Sequence, residues 1–159
     1  MKKYGGGLIT QMNRKKSWYK ITEKYNAIKY KQGSWDIDEG LDCISMIVLF
    51  MKDIGKSVDD WITGSKAFEY KGNHLTATTF LDYLSDKNEI TKALKSFLKY
   101  TCKKVDRMSK GDIVFFNYRK DILFGIYLGG GLVMCSFETY GIKKIKLRNF
   151  DIMEIYRWV

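Results

Sequence analysis

The spacing of apolar residues changes character along this chain. Trp18, Ile21, Tyr25 and Ile28 recur at three- and four-residue intervals, which predicts a helix from about Asn13 to Tyr30 with one apolar stripe turned to a core. Gly33 stops it, and Ser34 to Gly40, with Asp36, Asp38 and Glu39, reads as a polar loop. Asp42 suits the N-cap of a second helix, whose apolar residues Ile44, Met46, Ile47, Val48, Leu49, Phe50 and Met51 point in nearly every direction. A helix apolar on all sides is central and buried. Gly55 ends it, and Lys56 to Asn73 reads as mostly irregular. Two shorter helical patterns follow, Leu75 to Leu84 and Glu89 to Tyr100, the second with Ile90, Leu94, Phe97 and Leu98 on one face. They predict a helical insertion over residues 75–100, either a lid or a docking surface.

From Asp112 the period shortens. Asp112 to Tyr118, Ile122 to Leu128, Leu132 to Phe137, Ile142 to Leu147 and Ile152 to Val159 are short β-rich runs with short links, and Gly129-Gly130-Gly131 predicts a tight hairpin turn. Such runs form an antiparallel meander rather than crossover units. The fold class is α+β, with N-terminal helices packed on a C-terminal antiparallel sheet. The 159 residues are expected to make a single domain over 1–159, with 1–12 as a flexible tail.

Composition narrows the function classes. The chain is 45% hydrophobic and 15% aromatic, too apolar for disorder. Its net charge of +10 permits attraction to nucleic acid, anionic lipid or an acidic protein. The positive residues are scattered, however, as in Arg14-Lys15-Lys16, Lys103-Lys104 and Lys143-Lys144, with no zinc finger or recognition-helix signature. A solvated basic surface explains them better, and a nucleic-acid-binding protein is the least favoured reading. No run is long enough to span a bilayer, and the first residues carry no apolar core behind Lys2-Lys3, so synthesis in the cytoplasm without a signal peptide is expected. The lack of proline beside many Lys, Tyr, Ile, Asn and Phe is the imprint of an A/T-rich genome, as in a phage or a low-GC bacterium.

Cys43, Cys102 and Cys135 are too widely spaced for a disulfide framework or a CxxC clamp, and His74 is the sole histidine. Neither a metal nor a cofactor is expected. Cys43 stands out by position. A thiol acts as a nucleophile only as thiolate, and a helix N-terminus lowers its pKa and supplies backbone donors for an oxyanion. A small buried hydrophobe is the commoner fate of such a cysteine.

Tyr30 before Gly33, Asp42-Cys43 opening an apolar helix, Gly111-Asp112-Ile113-Val114-Phe115-Phe116, Phe124-Gly125-Ile126-Tyr127-Leu128-Gly129 and the closing Tyr156-Arg157 resemble, in order and spacing, the NlpC family of papain-like cell-wall peptidases over about residues 18–159. The resemblance implies a cysteine-bearing helix on a five- or six-stranded antiparallel sheet. It also implies cleavage of peptidoglycan stem peptides by a Cys-His dyad with a third polar residue. Cys43 matches the nucleophile, although Ile44-Ser45 replaces the usual Ser-Gly. Leu123 holds the place of the histidine, and Cys135, twelve positions on, that of the third polar residue. A leucine takes no proton, so the dyad is broken.

Three other groups are candidates to replace the missing base. Asp121 shares a strand face with Leu123, but a carboxylate beside a thiol raises the thiol pKa. His74 falls between the nucleophile helix and the sheet, where the family has no catalytic group, and Cys135 would pair with Cys43 if both line one pocket. Tyr30 and Trp35 are expected to border the substrate groove. The resulting expectation is a pseudoenzyme: an inactive NlpC-like domain serving as a structural or binding component. Its partners would be other chains of an assembly such as a phage tail tip, with incorporation into a virion. The alternative is an active cysteine peptidase or amidase acting on peptidoglycan through Cys43.

Overall fold

The burial of the cysteine-bearing helix organises the molecule. The computed structural model describes residues 18–76, 87–148 and 150–159. A helical segment over 18–25 (α1) is followed by α2 (Cys43–Asp53) and the short α3 (Asp59–Thr63). Next come a hairpin, β1 (Ala67–Tyr70) and β2 (Asn73–Thr76), and the helix α4 (Lys87–Thr101). The strands β3 (Cys102–Lys104), β4 (Ile113–Tyr118), β5 (Asp121–Gly129), β6 (Leu132–Phe137), β7 (Gly141–Lys146) and β8 (Ile152–Trp158) form one antiparallel sheet in the order β3-β8-β4-β5-β6-β7. The class is thus α+β, with helices first and a six-stranded sheet after.

Both faces of the sheet are covered. On one, α2 and α4 pack over Ile113, Phe115, Ile126, Met134, Ile142, Tyr156 and Trp158. On the other, Val114, Phe116, Val133, Cys135, Leu147 and Ile155 form a second cluster, closed by Val105, Met108 and Phe150. This explains why Ile113 to Phe116 reads as an unbroken apolar run: alternate residues enter different clusters. At the edge of this core Arg157 grips the buried Asp112 through two bonds of 2.9 Å, tying β8 to the entry of β4.

The expected first helix is corrected at its end. It stops at 25, where Ala27 takes φ 63°, and its expected start at Asn13 lies outside the described residues, as does the expected tail over 1–12. From there residues 27–28 run beside β7: Ala27 N–H donates to the Ile142 carbonyl at 3.1 Å, and Ile142 N–H to the Ile28 carbonyl at 2.8 Å. α1 is held on α2 by Trp18 and Tyr25, whose rings each lie 5.6 Å from Phe50.

The stretch expected to be irregular contains α3 and the β1–β2 hairpin, whose turn at Lys71 and Gly72 has φ 50° and 81°, the signs of a type I′ turn. Leu75 and Thr76 are therefore strand, not helix, and the rest of that expected helix, 77–84, lies outside the described residues. α4 confirms the second helical pattern, with Ala93, Leu94, Phe97 and Leu98 buried. Among the described residues no helix is long and apolar enough to cross a membrane.

Candidate functional site

The N-terminus of α2 is fixed from two directions. Tyr30 and Leu41 form a parallel bridge, with Leu41 N–H donating to the Lys29 carbonyl at 2.8 Å, which sets Tyr30 beside the start of the helix. Asp42 caps that start. Its Oδ1 accepts from the N–H groups of Ile44 at 3.0 Å and Ser45 at 2.8 Å, its Oδ2 from Gly33 N–H at 2.7 Å, and Ser45 Oγ accepts from Asp42 N–H at 3.0 Å, completing a capping box. Asp42→Ala removes these acceptors from a buried site, and a loss of about 1–2 kcal/mol is expected in a urea melt.

Cys43 follows the cap and is buried, bordering a pocket of about 260 Å³. Tyr30, Ile122, Phe124, Phe137 and Tyr140 give this pocket its walls, and Ser136 and Glu138 are its chief polar groups. Burial pushes the Cys43 thiol well above its ordinary range and the Asp42 carboxylate pushes it further, outweighing the pull of the Cys43 and Ile44 N–H groups. The Tyr30 phenol is raised as well, first by burial and then by the charges of Cys43, Asp42 and Glu138.

No imidazole faces this thiol. His74 sits on β2 with its side chain 73% exposed, 3.6 Å from Glu69, and does not line the pocket. Of the two positions carried over by resemblance, Leu123 lines the pocket with Cys43 and Cys135 does not. Leu123 also packs against the cluster on the far face, with Val114 and Phe116. Its neighbour Phe124 packs on the Cys43 face, against Phe115 at 5.5 Å. Cys135 lies in the far cluster too: a Cβ placed on Gly125 would stand 2.7 Å from its Sγ. A bond between Cys43 and Cys135 would have to pass through the sheet, and all three cysteines are free. The β6 residues that do line the pocket are Ser136 and Phe137.

Asp121 is exposed and lines a neighbouring hollow with Lys92, Lys95 and Lys120, away from the thiol. Trp35 is likewise displaced, onto a shallow hollow formed with Gln32, Ile37 and Leu49. The residues that sequence reasoning missed are Phe124, Ser136, Glu138 and Tyr140. Counting alternate positions back from Ile126 along β5 and forward from Met134 along β6, two residues paired across the sheet, identifies the first two.

The geometry sets an order of thiol reactivity. Cys102 is partly exposed and its thiol, raised mainly by burial, is pushed up to about 11, whereas Cys43 and Cys135 are buried and raised further. Iodoacetamide near pH 8 is expected to label Cys102 first and the other two at least about tenfold more slowly, as read by peptide mass spectrometry. Because each thiol holds its proton more tightly when folded, their stability contribution is complete below the unfolded thiol pKa of about 8.5 and is lost as pH rises beyond it. The melting temperature should therefore fall between about pH 9 and pH 11.

Among solved structures, the chain is similar to the crystal structure of the NlpC/p60 domain of the peptidoglycan hydrolase SagA, at 15% identity and a TM-score of 0.48, over 89% of this chain and 96% of that one. No family model matches the chain, and no curated protein does.

Proposed function

We propose that this chain is an NlpC-like cysteine-hydrolase scaffold that no longer hydrolyses and works as a binding component of a larger assembly. One observation carries the reading: the thiol at the head of α2 borders a pocket with no imidazole, whose one carboxylate, Glu138, pushes the thiol pKa up rather than down. Leu123, Phe124 and Ser136, β5 and β6 residues that line the pocket with Cys43, accept no proton near neutrality. Burial and the Asp42 carboxylate keep the thiol protonated, so the nucleophile is missing along with its activator.

The order of motifs from Tyr30 to Arg157 supports the descent from a cell-wall peptidase, and the pocket beside the thiol supports retention of the groove for binding. A phage tail tip is the assembly we infer. Domains resembling this family occur there, and the A/T-shaped composition of the chain suits a phage.

The test is a release assay on purified peptidoglycan. The unmodified protein and Cys43→Ala are expected to give the same background signal. Stem-peptide release by the unmodified protein that disappears in Cys43→Ala would overturn the reading and make the chain a cysteine peptidase with an unorthodox base.

A further inference from the structure

The pocket beside Cys43 is the opposite of its surroundings in charge. The chain carries +10, yet among the described residues no lysine or arginine lines this pocket, while Glu138 does and Asp42 lies close behind it. Its walls are mainly aromatic: Tyr30, Phe124, Phe137 and Tyr140. Faces of such rings attract cations, by about 0.5–1 kcal/mol each at exposed sites and more when water is excluded. One further group is unfinished: Ser136 Oγ is buried with no hydrogen-bond partner, a condition that costs about 1–3 kcal/mol until something meets it.

We propose that this pocket receives a lysine side chain presented by a partner chain, its methylenes lying along Phe124 and Tyr140 and its ammonium donating to the Glu138 carboxylate and to Ser136 Oγ. The proposal rests on the reading of the site as a binding groove. The volume of about 260 Å³ suits one side chain rather than a larger ligand. A lysine has the long apolar stem and the compact three-donor head that one carboxylate and one hydroxyl can satisfy. The neighbouring hollow holds Lys92, Lys95 and Lys120 and joins the pocket at Thr91, Ile122 and Leu123, so the cation has one favourable end, at Glu138.

The experiment titrates the intact protein with N-acetyl-lysine-N-methylamide and, as the uncharged counterpart, N-acetyl-norleucine-N-methylamide. Binding is followed through the amide signals of Ser136 and Glu138. The lysine compound is expected to bind about tenfold more tightly, and Glu138→Gln to shrink that margin to about twofold. Tyr140→Leu should weaken the lysine compound by about threefold. Both side chains are exposed, so both variants should fold. If either does not, the comparison on the unmodified protein decides. Equal binding of the two compounds, or a lysine margin that survives Glu138→Gln, overturns the proposal. The peptidoglycan assay separates the two readings: hydrolysis with an intact lysine margin removes only the claim of inactivity, and no hydrolysis with no margin removes only the lysine pocket.

Discussion

Gly141→Ala is expected to destabilise the protein by about 2–5 kcal/mol, the sum of a left-handed backbone imposed on alanine and an overfilled contact. Gly141 has φ 72°, and a Cβ there would stand 2.2 Å from the Ile28 carbonyl oxygen and 3.1 Å from the Lys29 Cα. Both are backbone atoms, so no side chain can swing aside. The same carbonyl accepts the Ile142 N–H, and the pair of bonds between 27–28 and β7 is the seam that joins the N-terminal segment to the sheet. A methyl group forces that seam open. Tyr30 lies two residues beyond it, so the Cys43 pocket should loosen as well. A urea melt would read the lost stability, and faster alkylation of Cys43 together with faster amide exchange at Ala27 and Ile142 would locate it. A melt unchanged to within about 0.5 kcal/mol would contradict the seam.

Phe97→Ala is expected to cost about 3–5 kcal/mol and to lower the melting temperature by about 10 °C. Phe97 is fully buried at the centre of an aromatic cluster, with Trp61 of α3 at 4.9 Å, Phe68 of β1 at 5.5 Å and Trp158 of β8 at 5.9 Å. Removing the ring leaves a cavity bounded by three elements from distant parts of the sequence. The size of the loss distinguishes a core helix from a lid. A helix that opens over a groove would tolerate the change with less than about 1 kcal/mol of effect, whereas α4 should transmit it to the whole cooperative transition.

Much of this arrangement was legible in the residues. The cap at Asp42, the all-round apolar α2 and the five runs after Asp112 were found because each rests on a local rule: capping chemistry, burial on every side, or alternation broken by glycine. What was missed lacked a local rule. β3 adds Lys103 and Lys104 to the sheet margin with no apolar alternation, because an edge strand takes its place from the β8 backbone. The β1–β2 turn uses Lys71-Gly72, a weaker signal than Asn-Gly, and α1 ends where Ala27 adopts a conformation that nothing in alanine advertises.

The candidate site was legible in part. The resemblance puts Cys43 and Leu123 at one pocket, and both line it, but a sheet has two faces, so Cys135 falls in the far cluster while its neighbour Ser136 lines the pocket. Glu138 and Tyr140 escaped notice because they sit past the end of β6, where a polar loop in sequence gives no sign of the pocket it closes.

The burial of β4 on both faces has a consequence for the chain while it is still unfolded. Ile113-Val114-Phe115-Phe116 is uncharged, β-branched and aromatic, the kind of segment that pairs with copies of itself when left exposed. Its two proper neighbours are β5, which follows at once, and β8, which comes only after three further strands. One edge of the stickiest strand therefore waits until β8 has been made, guarded meanwhile by Lys110 and Asp112 on one side and Arg119 and Lys120 on the other. Pairing between nascent chains through β4 is therefore a hazard of synthesis, separate from the stability of the finished fold.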